Sequence, residues 1–124
     1  MGKQHMEFVV VDMNEGWEVP PGYPAGIEQK ILSSDLDEEK KTGSRTRLLR
    51  FEPGAFSTKP FVHDFYEEVY VVSGDLIVDG KPCDPHTYAC RPPHVPHGPF
   101  ASKTGCLLLE LHYYPRIEAS ADSQ

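Results

Sequence analysis

Turn signals recur along most of this chain at intervals too short for long helices. Pro53-Gly54, Gly74-Asp75, Asp79-Gly80, Pro92-Pro93 and Thr104-Gly105 punctuate its middle and end, and dipeptides of this kind mark loops and chain reversals. Between them lie short runs of β-branched, aromatic and aliphatic residues. Segments 27–33, 45–51, 56–63, 67–73, 76–79, 87–91 and 106–114 read as strands. Several short strands at such spacing indicate an all-β sandwich or barrel. Twelve prolines and ten glycines in 124 residues fit the same reading, because proline removes a backbone donor and glycine weakens element interiors. The length suits one domain.

Flanking segments divide the chain further. Residues 1–27 read as an extended arm, with a β-prone Phe8-Val9-Val10-Val11 run, Trp17 and a stiff Pro20-Pro21-Gly22-Tyr23-Pro24 loop. Such an arm is expected to pack over the barrel or reach a second subunit. The barrel is assigned to residues 28–115 and a flexible tail to 116–124. Residues 35–43 are charged and form an exposed connection.

Net charge is −7, and no local run of Lys or Arg offsets it. A surface of that sign repels phosphate backbones, so nucleic acid is excluded as a partner. No apolar run approaches membrane-spanning length, and the first residues lack the apolar stretch of a secretion signal. Cys83, Cys90 and Cys106 are odd in number and far apart. They read as buried small hydrophobes in a reducing, cytoplasmic protein.

Two segments carry chemistry. In the first, His63 is followed after three residues by Glu67 and after six more by Gly74. In the second, Pro93-His94-Val95-Pro96-His97 leads out of a proline-rich turn. Together they resemble the two motifs of the cupin superfamily, in order and at cupin separation, within residues 45–114. The likeness is to its small RmlC-like and ChrR-like members. It implies an antiparallel double-stranded β-helix, the jelly-roll barrel, holding one divalent metal ion on His63, Glu67 and His97. Two departures stand out. Phe61 occupies the position of the motif's first histidine, and His94 that of its usual glycine. The implied set is therefore two histidines and one carboxylate, the facial triad that favours Fe(II), although Mn, Ni, Cu and Zn accept the same donors.

Strand geometry is compatible with that set. Alternation puts Phe61 with His63 on one face, and Glu67 with Val69 and Val71 on another. If the two strands pair as a hairpin around 64–66, His63 and Glu67 face each other. A carboxylate among Phe61, Val69 and Val71 is unfavourable unless paired or ligated, and a divalent cation would resolve that. Phe61, Val69 and Val71 are then the apolar wall of a substrate pocket, and His94 at its rim a candidate catalytic acid or base.

Other polar residues have plainer readings. Glu68 falls on the face opposite Glu67, near Lys or Arg. Asp64 reads as a turn residue. Arg45, Arg47 and Arg50 read as solvent-facing charges. Glu110 and His112 share parity and either line the barrel or form an outward pair. The resemblance implies a non-haem metal-dependent oxygenase for a small β-dicarbonyl or phenolic substrate. The alternative is a non-catalytic small-molecule or metal-sensing domain. Acidic, tyrosine-rich outer faces and the arm predict a homodimer.

Overall fold

Eight strands form where the turn signals leave room for them. A computed structural model describes residues 2–115, so the tail expected at 116–124 lies outside the described residues. The strands are β1 (Ile27–Ser34), β2 (Ser44–Phe51), β3 (Tyr66–Gly74), β4 (Leu76–Val78), β5 (Lys81–Cys83), β6 (Tyr88–Arg91), β7 (Phe100–Ala101) and β8 (Cys106–Tyr113). They make a five-stranded sheet in the order β1-β2-β8-β3-β6 and a three-stranded sheet in the order β5-β4-β7. Every pairing is antiparallel, and the fold is the all-β jelly roll of a cupin. No helix long and apolar enough to cross a membrane occurs among the described residues.

Alternation decides what the large sheet turns inward. On β2 the inward residues are Arg47, Leu49 and Phe51, on β3 Glu67, Val69 and Val71, and on β8 Cys106, Leu108, Glu110 and His112. Register aligns them into rungs: Phe51 opposite Cys106, Leu49 opposite Leu108, Arg47 opposite Glu110, Arg45 opposite His112. β3 continues the rungs, with Val71 beside Leu108, Val69 beside Glu110 and Glu67 beside His112. The apolar rungs join Ile27 and Leu76 in the core.

Gly74 shows why the first segment ends as it does. Its φ is +85°, and a Cβ there would stand 2.0 Å from the Gly105 carbonyl oxygen. Only glycine tolerates both the left-handed backbone and that close approach of β3 to β8.

Segment 56–63 departs from expectation. It is not a continuous strand but is tied down at isolated bridges, Phe56 to Ala101 and Phe61 to His97. Pro60 lies between them without an amide donor. The run at residues 8–11 is likewise no strand, and Phe8 and Val10 are 98% and 95% exposed. The later part of the arm packs on the barrel, from Glu15, whose carbonyl accepts a bond from Lys30. Glu18 bridges to Gln29, and Trp17 lies over the Arg50 guanidinium at 4.0 Å. The cysteine expectation holds for Cys106 alone, since Cys83 is half-buried and Cys90 exposed; all three are free thiols.

Candidate metal centre

The two motif segments meet by backbone pairing. Phe61 and His97 exchange amide-to-carbonyl bonds of 2.7 and 2.9 Å, and the His94 amide donates to the His63 carbonyl at 2.8 Å. This zipped pair carries His63 and His97 over the end of β3, where Glu67 turns inward. The expected hairpin between His63 and Glu67 does not form. Glu67 instead sits in mid-sheet between Arg91 of β6 and His112 of β8. The residues are brought together by long-range topology rather than by a local turn.

Glu67 is only 2% exposed, and imidazoles surround it. The His97 Nε2 is 3.1 Å from its Oε1, and the His112 Nε2 is 2.9 Å from its Oε2. The His63 Nε2 lies 3.8 Å from Oε2, and Arg91 Nη1 is 3.8 Å from Oε1. Burial alone would raise the Glu67 carboxyl. The hydrogen bond from His112 and the close approach of the His97 ring outweigh it and hold the group well below the usual carboxylate range.

The partners of each ring nitrogen separate the three histidines. Arg45 donates to the His112 Nδ1 through Nε at 3.0 Å and lies 2.7 Å from it through Nη2. A guanidinium has no acceptor, so Nδ1 carries the lone pair and Nε2–H donates to Glu67. His112 therefore positions the carboxylate and has no lone pair to offer an ion. For His97 the logic reverses. Its Nδ1 faces the Val95 carbonyl at 3.2 Å, which only accepts, so in the neutral ring the Nε2 lone pair faces Glu67 Oε1. Two lone pairs 3.1 Å apart call for a cation between them or a proton on the ring. The backbone-anchored arrangement is the usual one for a metal-ligating histidine. Burial pushes His63 down to about 4, overriding the opposing pull of Glu67. Its ring is neutral near pH 7, and its Nε2 is buried without a hydrogen-bond partner.

His63, Glu67 and His97 each offer one donor atom, and these lie within 4.8 Å of one another. The orphaned His63 nitrogen, the outward lone pair of His97 and the anionic Glu67 fit a divalent ion. Glu67, Glu110 and His112 form a second close group, but Glu110 is engaged at 2.7 Å by Arg47 and His112 presents its proton.

The family described as ChrR Cupin-like domain matches residues 6–114. The chain belongs to this ChrR-like cupin family. Solved structures share the fold. An RmlC-like cupin from Shewanella frigidimarina is 23% identical over all of both chains, with a TM-score of 0.67. An acetylacetone dioxygenase from Acinetobacter johnsonii is 16% identical over 98% of this chain and 83% of that one, at 0.68. The structure of Rhodobacter sphaeroides SigE with the anti-sigma ChrR matches at 18% identity over 81% of this cupin and 50% of that chain, at 0.61. Among curated proteins none matches.

The remaining expected site residues scatter. His94 is exposed on the turn, with φ of +69°, which explains why glycine is usual there. Phe61 stacks on Tyr23 at 4.4 Å and borders a cavity of about 300 Å³ that also touches His63 and His112. Val69 and Val71 border a different cavity, of about 220 Å³. The supposed single apolar wall is thus divided. The Arg47–Glu110 pair stands between, the arginine lining the first cavity and the glutamate the second.

Two readings of polar residues change, and a third gains a partner. Arg47 is 2% exposed rather than solvent-facing, and bonds to Glu110 (2.9 Å), Gln29 (2.8 Å) and Tyr23 (3.0 Å). Glu68 faces outward as expected but accepts bonds from the Tyr88 and Tyr113 hydroxyls, not from Lys or Arg. Asp64 lies at a bend, in keeping with its reading as a turn residue, and pairs with Lys41. Sequence reasoning left His112 undecided. The signal for it was its parity with Glu110 and Leu108, obscured because Leu107, Leu108 and Leu109 are apolar on both faces.

Proposed function

We propose that this cupin is a metal-dependent oxygenase of small organic molecules such as β-dicarbonyl or phenolic compounds, using one divalent ion, with Fe(II) favoured, on His63, Glu67 and His97. The observation that supports it is the buried Glu67 carboxylate facing two imidazole nitrogens with free lone pairs, beside a cavity. A bound ion supplies Lewis-acid stabilisation of an enolate or phenolate and, if it is iron, one-electron redox capacity. The chain's own residues do the rest. His112, locked by Arg45, fixes the orientation of Glu67. Phe65 stacks on His63 at 4.1 Å, and Phe61 lines the same cavity, so both present apolar rings beside that donor. His94, on the exposed turn joined to His63, is in reach of solvent to exchange protons at the rim.

Oxygen uptake by the iron(II)-loaded protein with a panel of diketones and catechols tests the reading. Substrate-dependent consumption, lost in Glu67→Gln, supports it; no consumption with any member defeats it. A metal-sensing role is the second reading, favoured by the family's ChrR description, and tight stoichiometric zinc without turnover would select it. The proposal includes a homodimer, with exposed Phe8 and Val10 covered by a second copy, and a cytoplasmic setting suited to three free thiols. A monomeric mass by light scattering would remove the dimer.

A further inference from the structure

The cavity beside His63 has a divided lining. Pro20, Phe61 and Phe65 give it apolar sides, and Arg45 and Arg47 give it two guanidinium groups. These arginines are not equivalent. Arg47 is held by Glu110, Gln29 and Tyr23. Arg45 is half-buried, and its Nε and Nη2 meet only the uncharged Nδ1 of His112. Among the described residues no carboxylate pairs with it at salt-bridge distance. Glu38 borders the same cavity and acts on it only over a longer range.

A guanidinium has five N–H donors in a planar fork. Two groups of that fork are turned to His112, leaving the outer edge for the cavity. A partly desolvated cation without an anion is unfavourable, and burial accordingly pulls Arg45 below its ordinary range. The Phe65 ring, 5.9 Å from its Cζ, supplies only weak compensation. What Arg45 lacks is a carboxylate in direct contact, since Glu38 on the same lining stands beyond salt-bridge distance.

We propose that this cavity binds a small organic acid, its carboxylate paired with Arg45 and its body lying against Phe61 and Phe65 toward His63. The volume, about 300 Å³, is at the small end of ligand pockets. This names the substrate class for the oxygenase reading and rests on it in one respect: the end of the molecule remote from Arg45 is the end that reaches the metal centre.

Matched probes test it. Acetylacetone and 2,4-dioxopentanoate share a β-diketone and differ by a carboxylate, as do catechol and 2,3-dihydroxybenzoate. Calorimetric titration of zinc-loaded and chelator-stripped protein compares each pair. The carboxylated member is expected to bind about tenfold tighter or more to wild type, as a charge-assisted pair allows. That ratio should fall toward one in Arg45→Gln, which keeps a donor for His112, and should be partly retained in Arg45→Lys. Because both probes meet the same sample, loss of folded protein cancels from the ratio. Equal binding in wild type, a preference that survives Arg45→Gln, or no binding of either probe overturns the inference. If the protein retains no zinc, the metal reading fails, and the stripped protein alone decides whether the carboxylate preference stands.

Discussion

The two ends of the barrel are built from the same three strands and held by opposite means. Toward Phe51 and Cys106 the inward rungs are Leu49, Leu108 and Val71, and packing needs no particular partner. Toward Arg45 and His112 the rungs are Arg47, Glu110 and Glu67, all but closed to solvent, and each is tolerable only because a specific neighbour answers it. One end stores stability in burial. The other holds polar groups in a network in which two lone pairs and one carboxylate are left facing a common point.

This contrast can be broken most severely at its boundary. Glu110→Leu should destabilise the protein by about 3–5 kcal/mol in denaturant titration, because it strands the buried Arg47. Adding Arg47→Met should recover much of the loss, and failure to recover would mean that the pair's bonds to Gln29 and Tyr23 matter more than its charge balance. In the apolar end Leu108→Ala should cost about 2–5 kcal/mol while leaving metal stoichiometry unchanged by elemental analysis. Glu67→Gln should do the reverse, keeping a folded barrel but weakening metal affinity by more than the roughly 10–100-fold that outer partners are worth.

His112 sharpens the same comparison at a smaller scale. His112→Leu should weaken metal binding about 10–100-fold, whereas His112→Gln, which can accept from Arg45 and donate to Glu67, should restore most of it. If His112 were itself a ligand, leucine and glutamine would fail alike. The smallest effect concerns pH. In the folded protein His63 titrates at about 4, below its ordinary 6.5, so the unfolded chain takes up the proton first. The chelator-stripped protein should therefore lose stability as pH falls from about 6.5 toward 4. His63→Phe should flatten that part of the melting-temperature profile, while Glu67, held low, adds its own loss only at still more acid pH.

Much of the barrel is legible in the sequence because β2 and β3 alternate cleanly and end at strong turn signals. Glu67, Val69 and Val71 share a face on that ground alone. What escaped is set by distance along the chain. Arg45 and Arg47 read as surface charges because the residues that answer them, His112 and Glu110, come 67 and 63 positions later. β5 and β7, of three and two residues, carry too few side chains to show a period. The His63–Glu67 hairpin was the economical local solution, yet the ladder bonds of Glu67 go to β6 and β8. Motif spacing found the three donors; only the register of β2 against β8 reveals what steadies them.

Phe61, standing where the motif has a histidine, has taken up another task by stacking on Tyr23. The slot of a missing donor has become a clasp for the arm, so the doorway beside His63 is shaped by residues 20–23 from outside the barrel. Changes in that short stretch could widen or narrow admission without disturbing a single donor atom. Restoring histidine at 61 would have to undo the clasp to add a ligand.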